Sequence, residues 1–85
     1  MKTHVFSGNV NIHAPGSDPG ARFYAWCWHT HFTHQRMVDF NKLCDTLNKE
    51  LARYNAHIHR ANNDARIHIK FEDELDHTQF VLTWS

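Results

Sequence analysis

Long apolar runs, disulfide-forming cysteines and a charge of one sign are all missing from this sequence. No stretch approaches the roughly 20 consecutive apolar residues that a bilayer requires. The first residues, MKTHVFSGNVNIHA, lack the apolar core of a secretory signal. Cys27 and Cys44 are the only cysteines, too few for a disulfide framework, so both are expected as small core residues in a reducing, cytoplasmic setting. Nine Lys plus Arg balance nine Asp plus Glu, and neither half carries a basic run, which disfavours nucleic acid as a partner. Both prolines and two of the three glycines fall within residues 14–20, which marks a turn or loop.

What is present first of all is periodicity. Met37, Phe40, Cys44, Leu47, Leu51, Tyr54 and Ile58 recur at steps of three and four, the spacing of one helical stripe, and Leu43 widens it. Asp39, Lys42, Asp45, Lys49, Glu50 and Arg53 fall between them, with Asp45 four residues before Lys49 as on a solvated helical face. The spacing predicts one long amphipathic helix over residues 33–58 with Thr33 at its N-cap.

On either side the pattern suggests strands. Phe6, Gly8, Val10 and Ile12 alternate within residues 3–13. Residues 22–32 are dense in sheet-favouring side chains, with Tyr24, Trp26, Trp28, Thr30 and Phe32 on one side and Phe23, Ala25, Cys27, His29 and His31 on the other. Ile67, Ile69 and Phe71 alternate cleanly with polar residues through 65–73, after a turn signal at Asn62-Asn63-Asp64. Glu72, Asp73, Glu74 and Asp76 then read as an acidic turn before a last strand over 77–84, with Phe80, Leu82 and Trp84 inward.

The expectation is one compact α+β domain over residues 1–85, arranged ββαββ. A four-stranded, mainly antiparallel sheet would carry one long helix on one face. The third strand would pair antiparallel with the first, giving the order 2-1-3-4. One helix cannot cover both sides of such a sheet, so an aromatic side of residues 22–32 is left for solvent or a partner.

Nine histidines are the compositional anomaly. Histidine gains charge on mild acidification, which makes a pH sensor conceivable, although exposed strand and loop residues explain their dispersal. On a strand, His29 and His31 would project together, with His34 just beyond, as ligands of zinc or another transition metal. His31-Phe32-Thr33 matches the His-x-Thr triplet of two-histidine phosphoesterases, whose chemistry needs two such triplets, and this chain has one. No serine lies in a nucleophile elbow and no glycine-rich phosphate loop exists, so no catalytic residue is assigned and an enzyme is the disfavoured class.

The function expected from these features is a small non-catalytic protein-interaction module, a regulator or inhibitor that masks a surface of a larger protein and self-associates. Tyr24, Trp26 and Trp28 are the candidate aromatic anchors, and Glu72, Asp73, Glu74 and Asp76 the candidate acidic contact for a basic surface. In size and lack of motif the chain resembles small accessory proteins of phages and mobile elements. The alternatives are a metal-binding protein or small metal-dependent hydrolase using His29, His31 and His34, and a single-strand nucleic-acid binder with aromatic platforms on its sheet.

Overall fold

The structure, a computed structural model, describes residues 2–32, 39–59 and 65–85, and for Phe40 the backbone alone. It is α+β, with three α-helices and a three-stranded antiparallel sheet. In chain order these are β1 (Lys2–Ser7), α1 (Pro19–His31), α2 (Phe40–Leu51), a 3-10 turn (Ala52–Tyr54), β2 (Ala56–His59), β3 (Arg66–Phe71) and α3 (Glu74–Trp84). The sheet order is β1-β3-β2. The expected antiparallel pairing of the first strand with residues 65–73 is present over Lys2–Ser7 and Arg66–Phe71, with Lys2 opposite Phe71 and Phe6 opposite Ile67, whereas residues 8–13, expected to continue that strand, are not in one, and a three-stranded order replaces the expected 2-1-3-4.

Two of the expected strands are helices. Residues 22–31 lie in α1 with Phe32 as its C-cap, because their bulky side chains also satisfy helical spacing: Phe23 with Cys27, and Tyr24 with Trp28 and Phe32, stand four residues apart. Sheet propensity for aromatic residues reflects packing context more than any backbone preference, and here the context is helical. The helix announces itself at Asp18-Pro19, where the Asp18 carboxylate accepts from the Ala21 amide at 3.1 Å and Pro19 occupies the first turn, where no amide hydrogen is needed. Gly20 lets the start of α1 sit against β1, since a β-carbon there would run into the Phe6 ring.

Residues 77–84 likewise belong to α3. Phe80 and Trp84, four apart, both turn inward with ring centroids 6.5 Å apart. Leu82, expected beside them, points the other way, because two residues on a helix are about 200° apart. The acidic segment is the start of this helix: Asp73 caps the Leu75 amide, and Glu74 and Asp76 in the first turn face its positive end.

The long helix expected over residues 33–58 is also corrected. Its periodic core is α2, capped by Asp39, whose carboxylate accepts from the Asn41 amide at 2.9 Å. Helix ends at Leu51, a 3-10 turn follows, and Asn55 adopts a left-handed conformation (φ 50°, ψ 44°) that reverses the chain into β2. Tyr54 and Ile58, on the expected stripe, thus lie in the turn and in a strand. Thr33, the expected N-cap, and the turn signal Asn62-Asn63-Asp64 lie outside the described residues.

All three helices pack on one face of the sheet. The core joins Phe6, Ile69, Phe71 and Ala56 from the strands to Phe23, Cys27, Leu43, Leu47, Leu51 and Phe80 from the helices. Each fully buried large side chain among these contributes about 1.5–3 kcal/mol through its removal from water. The edge strand β2 is tied to α2 by the Ile58 amide donating to Asn48 Oδ1 at 2.8 Å. No helix among the described residues is long and apolar enough to cross a membrane.

Candidate functional site

The aromatic anchors expected together divide along α1. Tyr24 and Trp28 are half-buried against the core, Tyr24 edge-on to Phe6 with centroids 6.2 Å apart and Trp28 beside Phe32 at 5.3 Å. Trp26 is 38% exposed, on the outward side of the helix, and its ring meets Trp84 of α3 at 5.4 Å. Trp84 in turn stands edge-on to Phe23, so this pair seals the α1–α3 seam while one indole remains at the surface.

The largest apolar exposure lies elsewhere. Leu75 and Leu82 are 71% and 75% exposed, and their seven-residue separation sets them on one line of α3 opposite Phe80. Sequence reasoning missed both. The signal was available: Asp73 as N-cap followed by acidic residues in a first turn implies a helix, and a helix puts Leu75 and Leu82 on one line away from Phe80 and Trp84. Of the acidic candidates, Glu72, Asp73 and Glu74 are exposed around the head of this helix. Asp76 is half-buried and accepts from Asn55 Nδ2 at 3.3 Å, a structural contact across the chain reversal.

The metal candidates do not converge. On a helix His29 and His31 are about 200° apart rather than side by side, which removes the geometry that a strand would have supplied. His29 Nε2 sits 2.8 Å from the Ile12 carbonyl, and His31 Nε2 lies 3.4 Å from Glu50 of α2. His34 lies outside the described residues, and among the described residues no three His, Cys, Asp or Glu side chains gather to hold an ion.

A different histidine pair forms a polar chain at the core's edge. His4 Nε2 lies 3.1 Å from Asp18 Oδ1, and His4 Nδ1 lies 3.4 Å from His77 Nε2. Both contacts are satisfied when His4 donates to the carboxylate and accepts from His77. Burial would raise the Asp18 carboxyl, but the hydrogen bonds from His4 and the Ala21 amide outweigh it and hold the group below its ordinary value. Burial pushes His77 down, aided by His4 and Lys2 and opposed by Glu74.

An Asp-His-His chain can position a base, and of its three members Asp18 lines one of two clefts. A cleft of about 190 Å³ is lined by Tyr24, Leu43, Cys44 and Leu47, below the usual range of ligand sites. A more open one beside β1 is lined by Asp18 and loop residues, and no imidazole lines either. Cys27 offers no nucleophile: it is fully enclosed, and burial together with Glu50 pushes its thiol up to about 12. Cys44 is half-buried on α2.

The fold and these surfaces define a class, a two-layer α+β domain with helices on one side of its sheet and exposed leucines on its last helix. A scan against protein-family models, a search of characterised proteins and a search of solved structures each find no match.

Proposed function

We propose that this chain is a small non-catalytic protein-interaction module, a regulator or inhibitor that masks a surface of a larger protein, with α3 as its docking face. The observation that carries this reading is the pair Leu75 and Leu82, each more than two-thirds exposed on one line of a helix. Single exposed leucines are ordinary, but two placed seven residues apart, about 10 Å along the axis, match the anchors an amphipathic helix presents to an apolar groove. Glu72, Asp73 and Glu74 at the head of the same helix supply an acidic border suited to a basic rim. Trp26 extends the apolar surface across the seam with Trp84.

Each leucine contributes about 1.5–3 kcal/mol when fully buried, so losing both weakens docking by more than a hundredfold. Self-association uses the same line of residues, and one partner excludes the other. The test is affinity capture from the native cell with the wild-type chain and with Leu75→Glu/Leu82→Glu, alongside circular dichroism of both and sedimentation velocity. A specific protein retained by the wild type and lost by a folded variant supports the reading. Identical capture by both overturns it.

A further inference from the structure

We propose that the contact between His4 and His77 is a proton-operated latch: it holds the first turn of α3 on β1, and the proton that leaves both rings charged releases that turn. The two halves of α3 are held in different ways. Phe80, fully buried, and Trp84 anchor the second half in the core. The first turn relies on polar ties, since Leu75 is 71% exposed. Asp73 caps the Leu75 amide, Asp76 accepts from Asn55 Nδ2 at 3.3 Å, the Glu72 amide donates to the Asn55 carbonyl at 3.2 Å, and His77 Nε2 lies 3.4 Å from His4 Nδ1.

One of these ties can be switched by protons. Asp18 accepts from His4 Nε2, which leaves Nδ1 as the nitrogen turned to His77. With His4 neutral, Nδ1 accepts from His77 Nε2. With His4 charged, Nδ1 donates, so His77 Nε2 accepts and His77 carries its own hydrogen on Nδ1. A further proton has only Nε2 to go to. Two N–H groups would then face each other, and they cannot bond.

The surroundings also oppose that proton. Asp18 of α1 is the counter-ion of His4, whereas β1 turns Lys2 and His4 toward His77 and only Glu74, on its own helix, favours charge there. Among the described residues, β3 contributes the Phe71 ring, with centroids 5.2 Å apart, and the 3-10 turn reaches α3 through Tyr54 to Phe80 and Asn55 to Asp76. A cation in the first turn of a helix also meets the positive end of its dipole. Burial first, then His4 and Lys2, hold His77 below the ordinary histidine range. Leu75, Glu72 and Glu74 move with the released turn, so acid would weaken docking through α3; that consequence alone rests on the proposed function.

The test is amide-exchange NMR of the full chain at pH 7.5 and pH 5.5, with rates divided by their intrinsic values. The probes are the Glu72 amide and the His77 amide, which donates to the Asp73 carbonyl at 3.3 Å. A closed form that wholly refuses the proton favours opening about tenfold at pH 5.5, one unit below the free imidazole value of about 6.5. Protection of both amides should fall by about threefold to tenfold between the two pH values, with the shallow urea dependence of local opening. Ile69, in the core, should stay better protected and respond steeply to urea. In His77→Gln, which still bonds His4 but takes no charge, the fall should be lost with circular dichroism unchanged. In His4→Gln the imidazole resonances of His77 should titrate at a higher pH than in the wild type. Constant protection, the same fall in His77→Gln, an unmoved His77 titration, or one urea dependence shared by Glu72 and Ile69 overturns the inference. No partner enters these readings: a turn that opens with acid supports the latch even if Leu75 and Leu82 capture nothing, and a turn that stays closed overturns it even if they do.

Discussion

Histidine occurs on both faces of the sheet, and the two settings differ in what they demand. On the helix-covered face, His4 stands in line with Phe6, its side chain 16% exposed, and each ring nitrogen has a partner: Asp18 at the head of α1 and His77 on α3. On the face away from the helices, His57 and His59 lie exposed on β2, beside Lys70 and His68, and the rings of His59 and His68 meet edge to face. A polar ring half inside a core has to be hydrogen-bonded, because leaving a buried donor or acceptor unpaired costs about 1–3 kcal/mol. Outside the core the same ring is free to serve charge and contact. The covered face is thus constrained by packing, and the uncovered face by what approaches it.

Perturbing each face separates these roles. The largest effect belongs to the covered side. Phe80 is fully enclosed and meets Phe23, Tyr54 and Phe71 at 5.3–5.4 Å, so Phe80→Ala should cost about 3–5 kcal/mol in urea denaturation. A loss below about 1 kcal/mol would mean that the helical layer does not close over the sheet as described.

Next comes the polar chain at the margin of that core. Asp18→Ala removes a helix cap and the acceptor of His4, and should cost about 1 kcal/mol at pH 7 in thermal melts. Because the folded carboxyl lies below its ordinary value, its stabilisation is present above the unfolded pKa near 3.9. It is lost as pH falls through the folded value, so wild type and variant should converge in strong acid. Equal separation at all pH values would show that the ionised form gains nothing from folding.

His77 is shifted the opposite way in charge. Its folded pKa is lowered, so the unfolded state takes up protons first, and stability falls as pH drops through about 6.5 until the folded value is passed. Melting temperatures at pH 8 and pH 5.5 should diverge less in His77→Gln than in the wild type. Matching divergence would remove His77 from the account of acid sensitivity.

The smallest effect sharpens the comparison from the other side. Lys70→Gln alters a position on the other face and should move stability by no more than about 0.5 kcal/mol, measured by the same denaturation series. A cost like that of Phe80→Ala would place this residue in the scaffold.

Legibility differed in the same way between elements. The alternation of Ile67, Ile69 and Phe71 leaves one period only, and β3 formed where it was expected. The stripe through Leu43, Cys44, Leu47 and Leu51 also allows one period, and α2 carries it. Residues 22–32 have apolar side chains at both odd and even positions, so they fit a strand or a helix, and propensity favoured the wrong one. For the candidate surfaces, Trp26 and the exposed acids Glu72, Asp73 and Glu74 were named from sequence, while Leu75 and Leu82 were hidden by reading the last segment at period two. The cap residues Asp18 and Asp73 held the missing information, because an aspartate before an amide-rich first turn is a local signal independent of the hydrophobic pattern.

The order of residues by itself determined the mixed α+β class, the strand through Ile69 and the amphipathic helix through Leu47, since each depends on side chains a few positions apart. It also set the inventory of equal charges and nine histidines. At residues 19–31 and 74–84 the hydrophobic pattern allowed strand or helix; the caps Asp18 and Asp73 pointed to helix, and tertiary packing completed it, because their aromatic residues close over Phe6, Ile69 and Phe71. Only tertiary structure decided where charge would lie. Pairing β1 and β2 with β3 joins segments distant in sequence, and that long-range register sets Arg66, Lys70 and three imidazoles on one side.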